Sequence, residues 1–127
     1  MLSITPIYIG IAVIMYAVLS FFVISGRRRY KISIGDGNDP RFARTVRAHG
    51  NFAEYAPLTL LAMAAAELAG ATGAVIHVAG ALLLIGRAIH GYYFVFSAGV
   101  RKFRVGGMML TFFAMWIAAA AGIWAVL

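Results

Sequence analysis

Thr45-Val46-Arg47-Ala48-His49-Gly50-Asn51-Phe52-Ala53-Glu54-Tyr55-Ala56-Pro57 decides how the chain is read, because it opens an otherwise apolar run with a cation, an amide and a carboxylate. At about 100° per residue, Arg44, Arg47, Asn51, Glu54 and Leu58 share a helical stripe roughly 60 to 80° wide. Tyr55 lies at its edge and His49 roughly opposite. An ionisable group in a bilayer costs about 2.5 kcal/mol or more unless paired or wetted, so the stripe must face a bundle interior or a cavity. A structural pair between Arg47 and Glu54 is the plain alternative. It leaves Asn51 and Tyr55 on the same face without a reason to be there.

Composition sets the surroundings of that stripe. A chain of 127 residues that is 63% hydrophobic and only 12% charged, with a mean hydropathy of +0.90, is expected to be one small integral membrane domain. It has no cysteine, which excludes disulfides, a thiolate metal site and a cysteine nucleophile; any thiol chemistry must come from a ligand. The net charge of +7 rests on Arg27, Arg28, Arg29, Lys31, Arg41, Arg44, Arg47, Arg87, Arg101, Lys102 and Arg104. With four spans all of these fall at one end of the bundle, the positive-inside pattern. Loops one and three are therefore expected in the cytoplasm and both termini outside. No basic groove interleaved with aromatics accompanies the charge, so no nucleic-acid partner is expected.

Helix one is expected over residues 4–25, an uncharged stretch of spanning length. The basic cluster Arg27-Arg28-Arg29 follows this apolar run instead of preceding it, which reads as a retained span rather than a signal peptide. The loop segment Gly35-Asp36-Gly37-Asn38-Asp39 is turn-rich and lacks the acids of a calcium loop, so no metal is expected. Asp39 before Pro40 marks a helix start, and helix two is expected over residues 40–69 with a kink at Pro57. Glu67 is read as solvated at the far membrane surface. Helix three is expected over residues 74–96, with Gly80 and Gly86 allowing close helix contact. His77 reads as a hydrogen-bonded packing histidine. Arg87, His90 and Phe94 share one face, and an arginine so far inside a span calls for an anion, either Glu54 or a bound carboxylate. Loop three, residues 97–105, carries Arg101, Lys102 and Arg104, and helix four is expected over residues 106–127. Ala114, Ala118 and Gly122 form a small-residue seam on that helix.

The run Arg47-Ala48-His49-Gly50-Asn51-Phe52-Ala53-Glu54-Tyr55-Ala56-Pro57 resembles the signature of the membrane-associated proteins in eicosanoid and glutathione metabolism, the MAPEG family. There an Arg-Ala-x-x-Asn-x-x-Glu-Tyr-x-Pro pattern opens the second transmembrane helix, and every element of it is present here. The likeness extends more loosely over all 127 residues. It implies an all-α four-helix membrane bundle assembled as a homotrimer, in a bacterial inner membrane, with glutathione bound between neighbouring subunits near the cytoplasmic side. It implies ligand-holding roles for Arg47, Asn51, Glu54 and Tyr55. It also implies a thiolate-stabilising arginine at the start of helix four, which is Arg104 or, if the loop is shorter, Arg101. A basic residue after helix one helps to hold the ligand in this family, so Arg27 and Arg28, with His49, become candidate contacts to a neighbouring subunit. Conjugating eukaryotic members often carry tyrosines on helix three where this chain has His90 and Phe94, and Phe94 offers no hydroxyl.

Arg44, Arg47, Arg87 and Arg104 with Asn51, Glu54, Tyr55 and His90 would make a cationic pocket suited to a small polyanion. Glutathione offers two carboxylates for arginines, an ammonium for Glu54 and amides for Asn51. A guanidinium beside its thiol favours the thiolate. The expected activity is glutathione transfer to a lipophilic electrophile dissolved in the bilayer, or reduction of a lipid hydroperoxide, with no metal. Three alternatives compete: a non-catalytic lipid- or glutathione-binding member of the same fold, a small four-helix multidrug exporter, and a diheme carrier. An exporter wants an acid in helix one, which has none. A diheme carrier would need His49 and His90 paired across helices, yet His49 points away from the stripe.

Overall fold

The computed structural model describes residues 1–97 and 101–127. Four helices carry the chain among these residues: α1 (Thr5–Tyr30), α2 (Pro40–Leu68), α3 (Gly73–Phe96) and α4 (Arg101–Trp124). A helix of 24 residues, as in α3 and α4, rises about 36 Å, enough to cross a hydrocarbon core of roughly 30 Å. By length and apolarity α1, α3 and α4 can each cross a membrane. The polar stripe interrupts the apolar run of α2, which crosses packed against all three of the others. The fold is thus an all-α integral membrane four-helix bundle.

The ends of the helices depart from the sequence expectation in three places, the least of them at the C-terminus, where α4 stops at Trp124 and not at residue 127. α1 continues five residues past Ser25, through the arginine cluster to Tyr30, because nothing in Gly26-Arg27-Arg28-Arg29-Tyr30 stops a helix and cations suit its C-terminal dipole. It ends where Lys31 turns left-handed at φ 56° and its N–H caps the Arg27 carbonyl. Similarly, α4 is already helical at Arg101, so Arg101, Lys102 and Arg104 project from its first turns and not from a loop. Between Arg101 and Val105 there is no proline or glycine to break it, and Gly107 serves packing against α3. The remainder of loop three, residues 98–100, lies outside the described residues. At the start of α2 the expected cap is present: Asp39 Oδ1 accepts from the N–H groups of Arg41 at 2.9 Å and Phe42 at 2.8 Å, with Pro40 at the first position. The helix then runs through Pro57 unbroken, and Pro57 and Ala53 line an apolar groove of about 510 Å³ against α1.

The core is built from small and medium residues. Met63 and Ala66 on α2, Ile76, Ala79 and Leu83 on α3, and Ala114 and Ala118 on α4 are all fully enclosed. Gly122 completes the seam against Ala66, where an added Cβ would stand 3.6 Å from the alanine methyl. α3 and α4 share the most extensive seam, and its tightest point is the crossing of Gly86 and Gly107. A Cβ on either would lie 2.8 Å from the other's carbonyl oxygen, so only glycine lets the two backbones meet there. α1 packs on α2 and α3 on the side away from α4. Its outward face, with Val13, Ile14, Val18 and Phe21 exposed, is the apolar belt expected of a chain in lipid.

Glu67 has a structural role beyond solvation. Its Oε1 accepts from the N–H groups of Ser3 at 2.6 Å and Ile4 at 2.8 Å, and its Oε2 from that of Thr5 at 2.7 Å. α1 has no side-chain cap of its own, so a carboxylate from α2 supplies it, satisfying free N–H groups and meeting the positive end of the helix dipole. At the same end His77 bonds through Nδ1 to the Tyr8 hydroxyl at 2.9 Å, the packing role expected of it.

Candidate functional site

Three helix faces converge at the basic end. α3 contributes Arg87, His90 and Phe94; α4 contributes Arg104, Met108 and Thr111; α2 contributes Asn51 and Tyr55. Residues at these spacings lie on one side of their helix. The Gly86–Gly107 crossing draws α3 and α4 together directly beneath Arg104, and a Cβ on Gly107 would stand 2.9 Å from the His90 backbone nitrogen.

Arg87 is the centre of this cluster and is only 2% exposed. Its Nε donates to Thr111 Oγ1 at 2.9 Å and its Nη1 to Asn51 Oδ1 at 2.7 Å. Nη2 reaches Met108 Sδ at 3.3 Å, and the guanidinium carbon stands 5.6 Å from the centre of the Tyr55 ring. All of these partners are neutral. The sequence pointed to Glu54 or a bound carboxylate as the counter-charge, but Glu54 turns outward to Arg47 in a two-pronged pair at 3.0 and 3.4 Å. Asn51 takes the place expected of an acid because it lies four residues along the stripe from Arg47, on the inward side, and is 7% exposed. Arg87 is therefore a buried guanidinium with no carboxylate partner among the described residues. Burying an uncompensated charge is costly, so the cluster biases its surroundings towards anions.

Outside the cluster the other candidate residues divide. Arg104 is exposed and holds its guanidinium 5.8 Å from the centre of the Phe94 ring; Phe94 in turn packs 4.8 Å from His90, which is 3% exposed. Arg101 is exposed one turn earlier on α4. Arg47 and Glu54 face outward, their side chains 58% and 49% exposed. They continue the stripe onto a surface with Leu58 and Leu61, also exposed. Arg44 does not join them: it lines a separate cleft with Arg29 and Arg41, because the inward turn of α2 there faces α1. His49, a candidate for contact with a neighbouring subunit, is instead used within the chain, stacked 4.5 Å from Tyr16 and bonded to Ser20 Oγ at 3.1 Å. Arg27 is likewise engaged, donating to the carbonyls of Ser33 and Gly35 at 2.9 and 3.3 Å and so folding loop one over itself. Arg28 remains exposed.

Two features were missed from sequence. Thr111 and Met108 hold Arg87, and their only signal was the spacing of four and seven from Arg104. Phe112 meets Tyr55 edge-on at 5.8 Å and stacks on Trp116 at 6.3 Å, forming an aromatic wall beside the cluster. Trp116 is 61% exposed, a position open to lipid or to a neighbouring chain.

The family model for the MAPEG family matches residues 5–124. This chain belongs to the MAPEG family. Among curated proteins, this MAPEG chain is similar to the inner membrane protein YecN of Escherichia coli K12. The two are 30% identical over 121 residues, which is 95% of this chain and 91% of the relative. YecN of Escherichia coli O6:H1 matches to the same extent. Family membership makes it a membrane protein of the group concerned with glutathione and eicosanoid metabolism.

Proposed function

We propose that the chain is a membrane-bound glutathione transferase that holds glutathione as a thiolate beside Arg104 and adds it to a lipophilic electrophile. The observation that carries this reading is the buried Arg87, whose partners among the described residues are all neutral, set beneath exposed Arg104 and beside the outward pair Arg47 and Glu54. Such an end of the bundle attracts a small polyanion. Arg47 would clasp a glutathione carboxylate, Glu54 would take the ammonium, and the amide nitrogen of Asn51, its oxygen fixed by Arg87, would be free to donate. Arg104 would lower the cost of the thiolate. It is preferred over Arg101 because its guanidinium lies over Phe94, on the face that leads down to Met108 and Thr111.

In the transfer, the thiol proton leaves to solvent, sulfur attacks the electrophilic carbon, and the leaving group departs or a double bond takes up a proton. With a lipid hydroperoxide, sulfur attacks the distal oxygen and the O–O bond breaks, giving an alcohol and glutathione sulfenic acid. A second glutathione then yields the disulfide and water. The electrophile would approach through the bilayer along Tyr55, Phe112 and Trp116. A homotrimer follows from the same reading, with the exposed Arg47, Glu54, Leu58 and Leu61 face of α2 meeting a neighbour. The basic loops would lie in the cytoplasm and both termini outside, in a bacterial inner membrane.

The test is displacement of chloride from an activated aryl chloride by glutathione. Wild-type protein should turn over, Arg104→Leu should lose about a hundredfold, and Arg101→Leu should change little. The reverse order moves the thiolate role to Arg101. No turnover in wild type, with glutathione binding retained, favours a non-catalytic glutathione-binding protein, a reading to which the missing hydroxyl at Phe94 gives some weight.

A further inference from the structure

A second basic feature lies on the other side of α2 and belongs to no part of that scheme. The ends of α1 and α3 and the start of α2 enclose a cleft of about 590 Å³. Arg29, Arg41 and Arg44 surround it, and Phe22, Phe42 and Phe96 form its apolar part. The Arg44 Nε is enclosed and has no hydrogen-bond partner. The ion pair found among the described residues, Arg47 with Glu54, does not involve any of the three. Three guanidiniums share one opening without a counter-anion from the described residues.

Directly below, a second cavity of about 250 Å³ continues between α1 and α3. It shares Phe22, Val95 and Phe96 with the cleft, so the two are contiguous. Its walls are mostly apolar, with Arg87 at one side, and run from Phe22 back to Ile14 on α1, about 12 Å along the helix axis. The combined shape has a cationic mouth at the basic end of the bundle and an apolar channel descending into the depth of the membrane. A small water-soluble anion such as glutathione would fill the mouth and leave the channel empty. An amphiphile fills both.

We infer that this is a binding site for an anionic glycerophospholipid, its phosphodiester held by Arg29, Arg41 and Arg44 and one acyl chain laid in the groove between α1 and α3. Charge-assisted and two-pronged contacts from guanidinium to phosphate supply the recognition. Basic pockets between membrane helices on the cytoplasmic side take anionic headgroups on these grounds. The three arginines of the mouth have no part in the proposed transferase activity, and Arg47, Glu54 and Arg104 line neither cavity; Arg87 borders the channel, but its guanidinium is already held by Asn51 and Thr111.

Native mass spectrometry of the full chain released from detergent reads this directly, with added phosphatidylglycerol compared with phosphatidylcholine of the same acyl chains. Wild type should retain phosphatidylglycerol at collision energies that strip phosphatidylcholine. Arg41→Gln with Arg44→Gln should weaken retention about tenfold or more, as expected for the loss of charge-assisted contacts. Gly91→Leu, which fills the channel and leaves the arginines in place, should also weaken it. Lys102→Gln, outside the cleft, should behave as wild type, and circular dichroism checks that each variant stays helical. Equal retention of the two lipids by wild type would overturn the inference. So would undiminished retention in the double variant, or displacement of the lipid by inorganic phosphate alone at similar concentration, which would mark a bare anion site.

Discussion

At the end of α2 away from the basic loops, Glu67 spends both carboxylate oxygens on the N–H groups of Ser3, Ile4 and Thr5. Midway along the same helix, Glu54 pairs with Arg47, and both side chains remain about half exposed. The two residues are chemically identical and sit on one helix, yet one is consumed by the fold and the other is left available. The arginines repeat the contrast. Arg87 is enclosed by Asn51, Thr111 and Met108, whereas Arg47 and Arg104 face outward. A carboxylate or guanidinium whose partners are all internal is architecture. One that is oriented from within but open on its outer side is where a ligand can bind.

Substitutions can break this division or sharpen it. The largest effect is expected on chemistry: Arg104→Leu should cut glutathione turnover about a hundredfold while leaving the thermal midpoint unchanged, as read by stopped assays and differential scanning fluorimetry. Next comes Asn51→Ala, which leaves the buried Arg87 Nη1 without its acceptor and should cost about 2 kcal/mol of stability, measured by reversible unfolding in mixed detergent. Arg87→Lys should lose part of the same network, because an ammonium cannot reach Thr111 and Asn51 at once. Glu67→Ala should then lower the thermal midpoint, with faster hydrogen exchange confined to the first turn of α1, and should leave glutathione affinity untouched. The smallest effect on stability is expected at Glu54→Gln, within about 0.5 kcal/mol as for other exposed pairs, although glutathione affinity measured calorimetrically should fall. If Glu54→Gln destabilises more than Asn51→Ala, the outward pair is architecture after all and the division fails.

Much of this was legible from the sequence where the determining interactions are local. Hydropathy runs place α1, α3 and α4, and Asp39-Pro40 announces the start of α2 because the cap bonds reach only two and three residues ahead. What escaped was decided by contacts distant along the chain. Glu67 caps a helix more than sixty residues away, and no pattern around it signals that. The partner of Arg87 depends on which side of the stripe turns inward, which the Gly86–Gly107 crossing sets, and so Asn51 and not Glu54 receives it. The helix ends at Tyr30 and Arg101 escaped because hydropathy marks where a span leaves the apolar core, whereas the helix itself continues until a left-handed residue or a break in its hydrogen bonding stops it. Arg44 was grouped with Arg47 by periodicity, but α1, packed on one side of α2, encloses Arg44 in a cleft and leaves Arg47 on the exposed surface.

In the proposed activity the outward-facing cations activate a bound thiol. Ultraviolet difference absorbance of the purified, detergent-solubilised protein, titrated with glutathione at neutral pH, tests it most directly. The expected result is a saturable thiolate band that disappears in Arg104→Leu. A flat difference spectrum in wild-type protein at glutathione concentrations that calorimetry shows to be saturating would contradict it.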